Sequence, residues 1–276
     1  MGTEKISVLL SVYAKEEARF FDRALRSVFE QSRQPDEVVI CTDGPLTLEL
    51  EKVIEKYQEL YPSNTKIVRF PHNRGLGKTL HDGLLECSND IVFRMDTDDV
   101  SMHDRFEKQL HCLANTNSDV VGSEIIEYDE EMKQVAGKRS VPETDKEIKE
   151  YMQYRNPMNH MTVCFKKHKV LEVGSHTDMP GFEDYYLWAR MMNGNCKFYN
   201  IQEPLVKVRG GVSMARRRGG INYIRNIVHF QNNLADIGII NTRKKIEGIL
   251  FRSMVAIVPS TLRHMIYNGV LRRRLE

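Results

Sequence analysis

The segment FRMDTDDV places Asp96, Asp98 and Asp99 within four residues, directly after an apolar run that would carry them to the rim of a sheet. Like charges so close repel, so the cluster needs a cation or a strong set of hydrogen-bond donors. Hard divalent ions such as Mg2+ and Mn2+ take carboxylate oxygens together with substrate phosphates. In an extended D-x-D segment two side chains point the same way, so one can meet a metal and the other a sugar hydroxyl. An EF-hand loop fits poorly, because its sixth position would be Ser101 rather than glycine. The plain alternative is a set of acids preceding a helix over 103–115. Two phosphate-binding motifs fail on inspection. Gly75, Gly77, Lys78 and Thr79 resemble the end of a P-loop, but its first glycine would fall on His72, and the third glycine of a dinucleotide fingerprint would fall on Leu80.

The elements that must position such a cluster are legible in the hydrophobic pattern. KISVLLSVY (5–13) is a continuous apolar run of the kind found in buried parallel strands. Phe21, Leu25, Val28 and Phe29 then fall at helical spacing, and Gln34-Pro35-Asp36 breaks the chain before the strand EVVICTDG (37–44). A helix over 46–60, a strand over 66–70, a helix over 77–87 and a strand over 90–96 complete a βαβαβαβ series, which predicts an α/β fold built on a mostly parallel sheet with covering helices. Ligands of such sheets sit outside the carboxyl ends of the strands. That rule singles out Tyr13, Asp43, the 71–78 loop and the chain from Asp96 onward.

Composition narrows the class further. With 276 residues, 41% hydrophobic and 28% charged, and a mean hydropathy of −0.45, the chain reads as globular, of one or two domains, rather than disordered or disulfide-stapled. No apolar run reaches about 18 residues and the start lacks the features of a signal peptide, so a cytoplasmic location is expected. Cys41, Cys87, Cys112, Cys164 and Cys196 are odd in number and scattered, which predicts small core residues rather than bridges or a zinc site. The net charge of +2 conceals an asymmetry, since residues 207–276 hold 14 Lys and Arg against 3 Asp and Glu. A tail of that sign suits an anionic partner, either a phosphate-bearing ligand or a membrane surface. Nucleic acid is not expected, because no interleaved aromatics or reading motif accompany the charge.

Read together and in order, SVY (11–13), the strand ending in Asp43-Gly44, NRGLGKTLHDGL (73–84), DTDD (96–99) and GFEDYYLWARM (181–191) resemble family 2 glycosyltransferases of the GT-A fold. The likeness covers roughly residues 5–210. NPMNHMTVCFKK (156–167) and the late RRRGG followed by Tyr223 look most similar to bacterial transferases that build O-antigen, capsule and other surface glycans. The resemblance implies a Rossmann-like, twisted, mostly parallel sheet in a catalytic domain over 1–212, with a donor half of about 1–100 and an acceptor half of about 101–212. A basic helical extension would occupy 213–276.

The same resemblance implies a nucleoside diphosphate sugar as donor, UDP-galactose, UDP-glucose or UDP-N-acetylglucosamine foremost. Ser11, Val12 and Tyr13 would hold the base and Asp43 would accept from its ring nitrogen, although CTDGPLT departs from the usual two acids and a serine. Arg74 would contact the base and Lys78 the phosphates. Asp96 would face the ribose, and Asp98 would bind the Mn2+ or Mg2+ that bridges the diphosphate. Arg209, Arg216 and Arg217, with Arg218, would supply guanidinium forks that match phosphate oxygens. Attack by an acceptor hydroxyl needs a base, a role that falls on Asp184, with Glu183, His160 and Trp188 around the acceptor. One displacement with one base inverts the anomeric carbon. Each of these residues also has a structural reading: strand-end packing for Tyr13, turn chemistry for Asp43, solvated charges for Arg74 and Lys78, a helix N-cap for Asp184 and core for Trp188.

Helices are expected over 219–237 and over 243–271, the latter interrupted by Pro259. Their apolar face is too broken to span a bilayer. It could pack on the catalytic domain or lie at the inner leaflet, where an undecaprenyl-diphosphate-linked or other glycan acceptor would be met. Two other classes stay open on sequence alone: a sugar nucleotidyltransferase and a non-catalytic, membrane-associated binding module.

Overall fold

The computed structural model describes residues 4–210 and 219–258. The expected phosphate contacts Arg216 and Arg217, with Arg218, lie outside the described residues, as do Arg272 to Arg274. Among the described residues nine strands form one sheet: β1 (Ile6–Val12), β2 (Glu37–Asp43), β3 (Thr65–Phe70), β4 (Ile91–Met95), β5 (Val100–Ser101), β6 (Val120–Tyr128), β7 (Val135–Arg139), β8 (Cys164–Lys166) and β9 (Phe198–Arg209). Between them run helices α1 (Ala18–Phe29), α2 (Leu48–Leu60), α3 (Leu76–Glu86), α4 (Arg105–Thr116), α5 (Asp145–Met152), α6 (Lys167–Glu172) and α7 (Glu183–Asn193). Two more, α8 (Ile221–Asp236) and α9 (Thr242–Ile257), follow the sheet.

The apolar runs explain the layers. Side chains alternate across a strand, and in β1 Leu9 enters one core cluster while Val8 and Leu10 enter the other. In β2 Val39 and Cys41 face one side and Val38 and Ile40 the other. Both faces are covered, which is why these strands show no polar alternation. The helices Phe21, Leu25, Val28 and Phe29 mark out, and that carrying Phe106 and Leu113, close one face; Leu80 and Leu84 of α3, Leu187 and Trp188 of α7 and Phe230 of α8 close the other.

The strand order is β3-β2-β1-β4-β8-β6-β9-β5, with β7 beside β6. The first four strands are all parallel, and the sheet as a whole is mostly parallel by length of ladder because β6 and β9 also run together over nine residues. The short strands β5, β7 and β8 run antiparallel to their neighbours. Since β1 lies between β2 and β4 while the chain leaves it in both directions, the order reverses there, and a ligand crevice opens at such a switch point. Register aligns its rim: Val12 pairs with Thr42 and Leu10 with Met95, so Tyr13, Asp43 and Asp96 all emerge at one edge.

Predicted and observed boundaries agree to within a few residues through α4. α8 and the described part of α9 fall where helices are expected, and Phe230, Leu234, Ile240 and Ala256 join the same apolar cluster as Trp188. Cys41, Cys87, Cys164 and Cys196 are buried, Cys112 is half-buried, and all five are free.

Gly83 marks where α3 presses onto the sheet: a Cβ there would collide with Cys41 Sγ and lie 2.8 Å from Leu9 Cδ1. Gly83→Ala is expected to destabilise the fold by about 1–3 kcal/mol through overpacking, read as a drop in thermal midpoint of about 2–4 °C per kcal/mol. An unchanged midpoint would contradict the close approach.

Candidate active site

The carboxyl edge of β4 holds a crowd of acids. Asp96 and Asp98 are half-buried and Asp99 is buried, and Glu16, just ahead of α1, turns its carboxylate toward them, accepting from Thr97 Oγ1 at 3.3 Å. Burial raises the Asp98 carboxyl from the ordinary range to about 7, helped by the charges of Asp96 and Glu16. Burial raises Asp99 and Glu16 as well. These acids do not cap α4, because β5 intervenes and the N-cap position is Asp104.

Three arginines answer the crowd. Arg94, buried on β4, pairs through Nη2 with Asp96 Oδ1. Arg209, at the end of β9, donates its backbone N–H to Asp99 Oδ1 at 2.8 Å, while its guanidinium lies 3.4 Å from Glu16 and 3.6 Å from Asp98 and stacks 4.1 Å from the Phe20 ring centre. Arg209 is therefore engaged with the acids rather than held free for a phosphate. Arg105, fully buried beneath, donates to the Arg94 carbonyl at 2.8 Å and to Gln109 Oε1 at 2.8 Å, fixing the strand end. Its own desolvation pulls its pKa down to about 9.

At the next strand end the Asp43 carboxylate accepts the backbone N–H groups of Arg74, at 2.6 Å, and Gly75, at 3.1 Å. Gly44 follows with φ of +90°, and a Cβ there would lie 2.8 Å from Asn73 N, so the turn needs glycine. Asp43 thus fastens the 73–75 loop at the strand end where the base is expected. Arg74 stacks 3.7 Å from the Phe70 ring centre and pairs with Asp82 at 2.7 Å, while Lys78 is exposed and 3.9 Å from Asp178. Ser11 and Tyr13 stand half-buried at the rim. The Val12 side chain is core, which leaves only its backbone to meet a ligand.

α7 supplies the second group. Its first turn carries Glu183 and Asp184, where helix amides favour negative charge. The N-cap position is Phe182, so Asp184 does not cap the helix. Asp184 Oδ2 accepts from Asn156 Nδ2 at 2.6 Å and Oδ1 from Tyr185 N at 2.7 Å. Glu183 accepts from Gly181 N at 2.9 Å and packs against Gly77 of α3, where an added Cβ would lie 3.4 Å from its Cγ. Burial raises its carboxyl above the usual range.

The expected acceptor contact Trp188 is corrected. It is fully buried, edge-on to Phe198, and belongs to the core. His160 lies against it, with ring centres 6.2 Å apart, and 5.8 Å from His176. Burial and the nearby Arg94 charge hold both imidazoles neutral, His176 down to about 3. The two rings and Arg94 thus bridge from the Asp96 end of the site to α7. Glu16, Arg94, Asn156 and His176 were not singled out in the sequence. Arg94 lies in FRMDTDDV as a cation beside an acid cluster, and Asn156 opens NPMNHMTVCFKK as an amide that could meet the Glu183-Asp184 pair; Glu16 and His176 carry no local signal.

Among the described residues no three or more His, Cys, Asp or Glu side chains converge to hold a metal ion by themselves. The carboxylate oxygens of Asp98 and Asp96, with their surplus negative charge, fit a hard divalent cation that takes its remaining ligands from a phosphate-bearing substrate.

The profile described as "Glycosyl transferase family 2" matches residues 7–176. The chain is 34% identical over 274 residues, 99% of its length and 98% of the relative's, to the UDP-Gal:alpha-D-GlcNAc-diphosphoundecaprenol beta-1,3-galactosyltransferase of Escherichia coli. It is 35% identical over 267 residues, 95% of its length and 97% of the relative's, to the amylovoran biosynthesis glycosyltransferase AmsE of Erwinia amylovora. Its fold is similar to that of the mannosyltransferase PcManGT of Pyrobaculum calidifontis, solved with GDP-Man and Mn2+, with a TM-score of 0.62 at 13% identity over 97% of this chain and 81% of that one.

The neutral His176 has a sign-definite consequence. Its folded pKa of about 3 lies below the unfolded value of about 6.5, so between them the unfolded chain binds the extra proton. Stability is full above about 6.5 and declines as pH falls, by about 1.4 kcal/mol per unit for this ring. Urea unfolding between pH 7 and pH 5 should show a shallower decline in His176→Leu than in the wild type; parallel profiles would refute a buried neutral imidazole.

Proposed function

The chain belongs to glycosyl transferase family 2, and from that premise we propose that it transfers a hexose or N-acetylhexosamine from a UDP-sugar, UDP-galactose first, to a lipid-diphosphate-linked sugar in the assembly of a bacterial surface polysaccharide. The observation that carries this reading is the pairing of two acidic sites on one scaffold, Asp96 and Asp98 at the switch point of the sheet and Asp184 at the head of α7. The names of the Escherichia coli and Erwinia amylovora relatives, matched over nearly their whole lengths, support the donor, the acceptor and the pathway class.

In this reading the base and ribose lie along Ser11 to Tyr13 and the 73–75 loop. The diphosphate lies over Asp98, within reach of Arg209 once that side chain releases its acids. A divalent cation, Mn2+ or Mg2+, held by Asp98 would neutralise charge growing on the diphosphate as its bond to the anomeric carbon breaks; the Mn2+ of the mannosyltransferase neighbour supports that assignment. Asp96, held by Arg94, orients a hydroxyl of the donor. Asp184, oriented by Asn156, takes the proton of the acceptor hydroxyl as that oxygen attacks the anomeric carbon from the face opposite the diphosphate. The configuration inverts, so an α-linked donor gives a β-glycoside.

The test is a panel of UDP-sugars incubated with the protein, Mn2+ and a diphosphate-linked acceptor, with released UDP and glycoside product read out. Asp98→Ala and removal of the cation with a chelator should each abolish turnover. Asp184→Asn should lower kcat by about 10²–10⁴-fold, the range of a positioned general base, with donor binding retained. Release of pyrophosphate from UTP and a sugar 1-phosphate, in a parallel incubation, with no UDP released from a UDP-sugar, would make the protein a nucleotidyltransferase, and neither turnover nor donor-induced stabilisation with any nucleotide sugar would make it a binding module.

A further inference from the structure

α9 turns its apolar side to the solvent. Ile246, Leu250, Phe251, Met254 and Ile257 are each more than half exposed, as is Ile221 at the head of α8. Placed at 100° per residue, the five α9 positions fall on one arc of the helix, and the opposite arc is the buried one. Ala256 is buried there and Gly248 packs so tightly that a Cβ would lie 2.7 Å from Gln231 Nε2. The exposed Ile221 sits near the C-terminal end of α9, because Gly220 N donates to the Ala256 carbonyl at 3.4 Å. Soluble surfaces scatter such residues singly; a contiguous set on one helix face marks an interaction surface.

The charge around the face says what it meets. Arg243, Lys244 and Lys245 open the helix against Glu247 alone, which pairs with Arg243 at 2.8 Å. In sequence the chain beyond α9 adds Arg263, Arg272, Arg273 and Arg274 against Glu276. A second copy would bring two basic rims together, and the chain's own tail repeats the same sign. A bilayer carrying anionic headgroups satisfies both features, taking the apolar side chains at the acyl boundary and the cations at the phosphate level. No helix among the described residues is long and apolar enough to cross a membrane, which leaves lying in the interface.

The docking helix is tied to the reaction site. The Arg252 guanidinium of α9 lies 5.6 Å from the Tyr185 ring and 5.9 Å from those of Phe182 and Phe230, and Phe230 of α8 stacks on Phe182 at 4.4 Å. Phe182 immediately precedes Glu183 and Asp184. We propose that the outward face of α9, with Ile221, is an amphipathic docking surface for an anionic lipid bilayer, which sets the head of α7 at a fixed height above the membrane. The proposal rests on that face and its charge; the lipid-linked acceptor of the proposed reaction gives it a use but is not a premise.

The test is co-sedimentation of the full chain with phosphatidylcholine vesicles, with and without phosphatidylglycerol, at low and high salt, alongside Leu250→Gln/Phe251→Gln/Met254→Gln. The wild type should pellet with the phosphatidylglycerol vesicles and be released by salt. The triple variant, with an unchanged thermal midpoint by circular dichroism, should lose about tenfold or more in vesicle affinity, since three large apolar side chains no longer enter the acyl boundary. A wild type that stays in the supernatant, or a triple variant that binds equally, overturns the proposal. So does a concentration-dependent dimer in sedimentation velocity that the triple variant abolishes without any vesicle binding, which assigns the face to a second copy. No readout depends on turnover, so failure of the proposed reaction and failure of the docking surface are separately visible.

Discussion

The constraint on which the site depends is the crowding of four carboxyl groups, Glu16, Asp96, Asp98 and Asp99, where the sheet edge offers little water. Burial and the neighbouring negative charges both penalise the ionised forms of Glu16, Asp98 and Asp99. The fold answers with cations that are themselves costly to bury. Arg94 takes Asp96, Arg209 reaches Glu16 and Asp98, and Arg105 beneath them braces the Arg94 carbonyl. The strand order follows the same demand: β9 ends beside β5 and β6, so its last residue arrives at the acids and fastens Asp99 through a backbone amide.

That balance is incomplete in the folded chain alone. Asp98 is left with a carboxyl near neutrality and with one guanidinium at 3.6 Å. A site tuned this way gains most from a ligand that brings positive charge and its own oxygen ligands together, as a cation with a nucleotide diphosphate does. Electrostatic strain at a functional site is compensated elsewhere in a fold, and here the compensation is the apolar density around it: β1 and β4 buried on both faces, and Trp188 of α7 packed with Phe198 and Phe230 in one cluster.

Much of this is legible in the sequence because it is local. Continuous apolar runs announce two-sided burial, so the parallel half of the sheet and its helices could be laid out strand by strand. DTDD and GFED announce their own acids. What the sequence hides is long-range. Asp43 and the 73–75 loop are thirty residues apart, and nothing in CTDG shows that its carboxylate closes on the amides of Arg74 and Gly75. Arg209 reads as a free phosphate ligand because its acids lie far away in sequence, Asp99 by 110 residues and Glu16 by 193. Trp188 reads as a pocket wall because one aromatic on an amphipathic helix looks the same whether it points to a cleft or to the core; only the β9 residue Phe198 against it decides. The short antiparallel strands β5, β7 and β8 escape for a different reason, being too brief for any period to register.

The two neutral histidines show how the halves of the site are joined without a continuous charge network. A protonated imidazole between Arg94 and Arg190 would repel both, and desolvation removes that option for His176 and His160 alike. Kept neutral, the rings act as packing that spans from the acid cluster to Trp188 and so to α7, where Asn156 sets the orientation of Asp184. The Asp184 carboxylate is thereby positioned by contacts that do not compete for its charge. The same helix is held from behind by Phe230 and Arg252. The helix is therefore packed on one side against the histidine pair through Trp188 and on the other against the C-terminal helices through Phe182 and Tyr185.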